Sequence, residues 1–127
     1  MKIATIITRV LLGIIFFVFG LNKFLNFIPP LKYDEGTTAF LYFTGLFGAK
    51  YFLPLIAITE IAVGIALLTN RFTALALLIL APVTVNIFLF HISLDPANGA
   101  PGYLVFLLNV FLLFVHKEKY APLLSAK

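Results

Sequence analysis

Eighteen residues, Phe52–Thr69, read FLPLIAITEIAVGIALLT and carry a single charge, Glu60, near the middle. As a helix rising about 1.5 Å per residue, the stretch spans roughly 27 Å, close to the ~30 Å hydrocarbon core of a bilayer. A carboxylate at that depth costs roughly 2.5–3.5 kcal/mol on insertion scales, so it is expected to face a partner or a wet cavity, not acyl chains. Composition closes the soluble alternative. Of 127 residues 62% are hydrophobic and 11% charged, and the mean hydropathy is +1.11. Ordinary soluble domains carry about 25% charged residues. This chain has too few polar groups to cover a globular surface, so lipid must be its solvent. The fold class that follows is all-α, in one domain over residues 1–127.

The net charge of +4 does not point to nucleic acid. The basic residues are scattered over helix ends, where they serve topology and contact with anionic headgroups. The absence of cysteine excludes disulfides, thiolate catalysis and CxxC redox chemistry within the chain. An apolar run starts after Lys2 and continues to Leu21 with no Ala-x-Ala-like site behind it, so a retained helix is expected rather than a cleaved signal peptide.

Four spans are expected, over residues 3–24, 52–69, 72–92 and 103–116. In the first, Arg9, Gly13, Phe16, Gly20 and Lys23 recur at helical spacing and share one face. Gly13 and Gly20, with Gly64 in the second span, are the candidate helix-packing residues, because small side chains let two helices approach closely. Gly-x-x-x-Gly is absent. Pro29-Pro30 are expected to end the first helix. The connection that follows holds a polar piece, Lys32–Gly36, and then Thr38–Gly48, apolar and aromatic but too short to span. A Thr cap at 37 or 38 would start a short helix there, lying at the interface over the outer mouth of the bundle. Asn70-Arg71 is a tight turn between antiparallel neighbours. Pro82 is expected to kink the third span. Ser93–Gly102 is a loop rich in turn formers, and the tail after Lys119 shows no evident structure.

Four spans put both termini on one side. Lys2, Arg9, Arg71, Lys117, Lys119 and Lys127 fall there, against Lys23, Lys32 and Lys50 on the other. The positive-inside rule therefore makes the termini cytoplasmic.

Sequence position also gives depth. Glu60 lies about 12 Å below the outer end of its span, Asn86 about 9 Å and Asn109 about 10 Å below theirs, while Arg9 is about 8 Å in from the cytoplasmic end. Three helices thus bring a polar group to nearly one level, with His91, Asp95, Asn22 and Lys23 above it. This predicts a polar pocket in the outer half of the bundle, made by Glu60, Asn86, Asn109 and His91, with Arg9 or Lys23 neutralising Glu60. The bland alternative is that these groups only glue helices together, at about 0.6 kcal/mol per bond on average. No metal site is expected: His91 and His116 lie at opposite faces, and a site would need more ligands. No nucleophile elbow, phosphate loop, HExxH or Rossmann fingerprint is present, so nothing in the chain marks it as an enzyme on its own.

The sequence resembles the DoxX family of small four-span membrane proteins. The resemblance is carried by Arg9-Val-Leu-Leu-Gly13, Phe19-Gly-Leu-Asn-Lys23, Thr59-Glu-Ile-Ala-Val-Gly64, Leu67-Leu-Thr-Asn-Arg71, Ala81-Pro-Val-Thr-Val-Asn86, Phe90-His91 and Leu94-Asp95-Pro96, in that order, and runs to about residue 116. It implies a four-helix bundle in the bacterial inner membrane. Relatives are tied to membrane redox, one branch resembling the large subunit of a thiosulfate:quinone oxidoreductase, and eukaryotic relatives act as assembly chaperones for membrane receptors. The expectation is a non-catalytic or accessory subunit working with a membrane or redox partner, with quinone as the cofactor that would suit the pocket. A ligand-free assembly or scaffold factor is the alternative, and a small-solute or proton pathway a weaker one.

Overall fold

The structure is a computed structural model that describes residues 2–28 and 32–125. Pro29-Pro30 and Lys127 lie outside the described residues. The chain is an all-α membrane bundle, with no strand among the described residues. Its helices are α1 (Lys2–Leu25), α2 (Thr38–Gly48), α3 (Phe52–Thr69), α4 (Thr73–Leu94), α5 (Ala100–Val115) and the short α6 (Lys117–Tyr120). By length and composition α1, α3 and α4 can each cross a membrane. α5 has 16 residues and bends by 75° into Lys117–Leu124, giving a fourth crossing if that pair is one span.

The helix ends follow local chemistry. Asn26, in the left-handed region at φ 53°, closes α1: its N–H bonds the Asn22 carbonyl at 2.7 Å, and Ile28 N–H donates to Asn22 Oδ1 at 2.7 Å. Thr37 caps α2, its Oγ1 accepting from Phe40 N–H at 3.2 Å. α3 stops at Asn70, also left-handed at φ 54°, with its N–H returned to the Ala66 and Leu67 carbonyls. Asn tolerates this backbone because its short polar side chain bonds locally; here Oδ1 accepts from Thr73 Oγ1 at 2.9 Å. α4 continues through Pro82 as one helix.

α1 and α3 run antiparallel in backbone contact. A Cβ added at Gly64 would sit 2.7 Å from Phe17 N and 2.9 Å from the Gly13 carbonyl, and one at Gly20 would sit 2.9 Å from the Ala57 carbonyl. Gly13 faces Leu67 and Leu68 in the same seam. With little hydrophobic drive between helices in lipid, this close approach is what gains dispersion contact. α4 and α5 form the second antiparallel pair, and the two pairs close over Leu12, Phe16, Leu67, Leu77, Leu80 and Leu112, all fully buried. Outward-facing Ile14, Leu55, Ile58, Leu78 and Leu107 stay exposed in the isolated chain, as lipid-facing residues should.

Two sequence expectations are corrected. The Ser93–Gly102 loop is mostly helical: α4 runs to Leu94, a 3₁₀ turn covers Pro96–Asn98, and α5 opens at Ala100 with Pro101 in its first turn. Turn formers also serve as helix-start residues, and Pro is tolerated where the N–H would be unpaired anyway. In the tail after Lys119, of which residues 120–125 are described, Tyr120 closes α6 and Ala121–Leu124 form a 3₁₀ turn. Its anchor is Tyr120, whose hydroxyl donates to the Ala74 carbonyl at 2.8 Å.

Candidate functional site

At the end of the bundle that carries α2, the helices part. A cavity of about 390 Å³ opens there, bounded by α2, α3 and α4, with Lys23 of α1 at its edge. Its apolar walls are Phe52, Leu53 and Ile56 of α3 with Pro82, Val83 and Ile87 of α4. α2 contributes Tyr42, Phe43 and Leu46. What holds α2 against the bundle is an aromatic cluster on Phe90: the Tyr42 ring lies 4.7 Å from it, Phe43 5.2 Å edge-on and Tyr33 6.2 Å edge-on, while Tyr33 and Phe43 stack at 5.5 Å. Large rings thus do at this end the opposite of what glycines do in the α1–α3 seam: they hold elements apart and leave space.

Glu60 comes to this cavity from the middle of α3 and is 2% exposed. Lys23 Nζ meets its Oε1 at 2.5 Å, and Lys23 is its partner among the described residues. The lysine is placed by the Gly20 contact one turn earlier, which presses the end of α1 onto α3 at Ala57 and Ile61. The pair sits in the wall of a largely apolar chamber, where a charge interaction is far stronger than in water.

Asn86 and His91 reach the same cavity from α4. The Asn86 amide donates to the Tyr42 hydroxyl at 2.8 Å. His91 Nδ1 lies 3.3 Å from the Asp95 carbonyl. A carbonyl can only accept, so this contact selects the tautomer protonated at Nδ1, which in the neutral ring leaves Nε2 as an acceptor.

The structure therefore brings together Lys23, Glu60, Asn86 and His91. It does not bring Arg9 or Asn109 to them. Arg9 Nη1 donates instead to the Leu67 carbonyl, a helix-end group at the other end of α3. Asn109 is 1% exposed and turns inward between α4 and α5; its Oδ1 accepts from Thr84 Oγ1 at 2.8 Å and its amide donates to the Leu77 carbonyl at 3.4 Å. Depth along the helix was legible in the sequence, but the direction around the axis separates Asn109 from Glu60. Gly13, Gly20 and Gly64 lie in the α1–α3 seam, away from the cavity.

Beside the cavity is a second polar knot that the sequence did not single out as a site. Asp95, buried at the end of α4, accepts from the Tyr33 hydroxyl at 2.6 Å and from Asn98 Nδ2 at 3.0 and 3.1 Å. The hydrogen bond from Tyr33 holds the Asp95 carboxyl below the usual carboxylate range, against the effect of desolvation, with Asn98 adding to it. The Tyr33 phenol is pushed well up from its ordinary value, first by desolvation and then by the hydrogen bond and the charge of Asp95. Tyr33 lies in an irregular connection, where no periodicity marks which side chain turns inward; Leu94-Asp95-Pro96 was the visible half of the pair. No group of three or more metal-ligating side chains occurs among the described residues.

With this geometry in view, comparison with protein-family models matches the DoxX family over residues 4–92, from α1 to the last turn of α4. The chain belongs to the DoxX family. The DoxX match takes in Lys23, Glu60, Asn86 and His91 and ends before Asp95 and α5, short of the residue-116 extent expected from the sequence. Comparisons with curated proteins and with solved structures return no match.

Proposed function

We propose that this DoxX protein is an accessory, non-catalytic subunit of the bacterial inner membrane that works with a redox partner and holds a quinone headgroup in the cavity beside Glu60. In this reading the single domain crosses four times, with α5 and its bent extension as the last span, and the termini are cytoplasmic. The observation that carries it is the Lys23–Glu60 pair in the wall of a 390 Å³ cavity lined, apart from Asn86 and His91, by aliphatic and aromatic side chains. Small-molecule sites are commonly of 300–1,000 Å³, mostly apolar, with few placed polar groups. A quinone is a flat ring with a carbonyl acceptor at each end. Lys23 Nζ supplies a donor on one side and the Asn86–Tyr42 couple a second across the chamber. The aromatic cluster offers faces for the ring, and the gap between helices gives an isoprenoid tail a way to lipid.

The test is the content of the protein isolated in native lipid. Quinone extracted from wild type should approach one per chain and fall at least tenfold in Val83→Trp, which fills the cavity, with a smaller drop in Glu60→Gln. Equal recovery from all three would end the quinone assignment. The assembly-factor alternative draws on exposed Leu41 and Phe47 on the outer side of α2; a protein crosslinked through those positions, with Val83→Trp still fully functional in cells, would favour it. A proton or solute pathway has less support, because fully buried Leu12, Phe16, Leu67, Leu77 and Leu80 lie between the two polar ends.

A further inference from the structure

The opposite end of the bundle carries a different cavity. A cleft of about 600 Å³ opens between the first turns of α1 and the end of α5, with Asn70 of the α3–α4 turn on its floor. Lys2, Thr5, Ile6 and Arg9 face it from α1, at the i, i+3, i+4, i+7 spacing of one helix stripe. His116 and Lys117 face it from the other side. Among the described residues, three cations therefore line one cleft and no acidic side chain does; Glu118, the nearest in sequence, is exposed on α6.

Two features make this more than a scatter of basic residues. Arg9 is oriented by its bond from Nη1 to the Leu67 carbonyl. A guanidinium has five N–H donors in a rigid fork, so one anchor leaves others to be offered in a fixed direction. The rest of the wall is apolar: Ile6, Phe114 and Val115. Ile3, Ile7 and Phe114 itself are exposed at 74%, 60% and 64%, as lipid-facing side chains would be.

We propose that this cleft is a binding site for a phosphate-bearing anion, and that the phosphate belongs to the headgroup of an anionic phospholipid. Three cations lining one cleft between membrane helices, with Lys117 Nζ 4.7 Å from the Phe114 ring in its wall and no carboxylate among the described lining residues, suit a phosphate held by Arg9, Lys2 and Lys117. The apolar wall running on to the lipid-facing side chains suits acyl chains and is of no use to a free anion. The inference is independent of the quinone proposal, since the two cavities share no residue.

The experiment is native mass spectrometry of the full chain released from micelles, titrated with phosphatidylglycerol, cardiolipin or phosphatidylcholine, and separately with inorganic phosphate. Wild type should retain the two anionic lipids over phosphatidylcholine. Lys2→Gln with Lys117→Gln, both at exposed positions, should weaken anionic-lipid binding by about 25-fold, at roughly fivefold per charge removed. Lys32→Gln with Lys50→Gln removes the same charge at the other end and should leave binding unchanged. Equal losses in the two double variants would reduce the effect to net charge and overturn the site. Full retention in Lys2→Gln/Lys117→Gln would do the same. Displacement of bound lipid by millimolar inorganic phosphate would overturn the lipid assignment in favour of a free anion.

Discussion

Two polar centres lie inside this bundle at similar depth and behave differently. Between α4 and α5, Asn109 gives its oxygen to Thr84 and its amide to the Leu77 carbonyl, and the residues around it are packed shut. Between α1 and α3, Glu60 has Lys23 on one oxygen and an open cavity beside it. The first centre is complete: neutral donors and acceptors match, and nothing further is wanted. The second is charged and leans on one flexible side chain that is itself 27% exposed. A structural tie and a candidate site are thus told apart by whether the protein satisfies its own buried groups, not by how polar or how deep they are.

Cutting each centre gives the largest separation. Lys23→Met leaves Glu60 without its cation, and losing one partner of a buried pair costs about 3–5 kcal/mol. Glu60→Gln should cost less, because a released lysine can snorkel towards the interface whereas a carboxylate in the middle of α3 cannot. Lys23→Met with Glu60→Met should recover most of the loss. Unfolding in mixed micelles reads all three. Equal losses of stability in the two single variants would refute this asymmetry between Lys23 and Glu60.

The same contrast explains what could be read beforehand. Apolar helices long enough to span, the short capped helix at Thr38 and the family were visible because apolar length, Thr capping and motif order are written locally. Lys23 and Arg9 shared one helix face and were both candidates for Glu60. The choice fell to the glycine seam, which sets the register of α1 on α3 and delivers Lys23 to Glu60 while Arg9 reaches the end of α3. Asn86 and Asn109 had equivalent depths, but the facing of α4 and α5 sent one to the cavity and the other to the core. The Tyr33–Asp95 contact joins residues 62 apart through a connection with no period, so nothing along the chain announced it.

Asn109→Leu should be milder than the Lys23 change. Two interhelical hydrogen bonds at about 0.6 kcal/mol each in a membrane protein give a loss of roughly 1 kcal/mol, partly offset by better apolar packing of the leucine. It should leave quinone recovery untouched, because Asn109 does not line the cavity. A parallel loss of stability and of bound quinone would show that the two centres are coupled.

The smallest effect is expected at the Tyr33–Asp95 knot, which ties the α1–α2 connection to the end of α4. Asp95 is held below the usual carboxylate range, so its contribution is present above the ordinary value near 3.8 and fades as pH falls through the lowered one. Tyr33 is raised above its ordinary 10.0, so its contribution is complete below pH 10 and fades only as pH climbs through the raised value. The knot is therefore intact across neutral pH and has two flanks, one acid and one strongly alkaline. Ultraviolet difference titration should show the Tyr33 step displaced upward from its ordinary value, and Asp95→Asn should move it part of the way back, since desolvation remains. Tyr33→Phe should remove the late step and raise the acid transition of the α2 end, followed by fluorescence of a probe attached at Phe47→Cys. A titration curve for Tyr33→Phe that overlays that of wild type would assign the step elsewhere and leave α2 held by the Phe90 cluster alone.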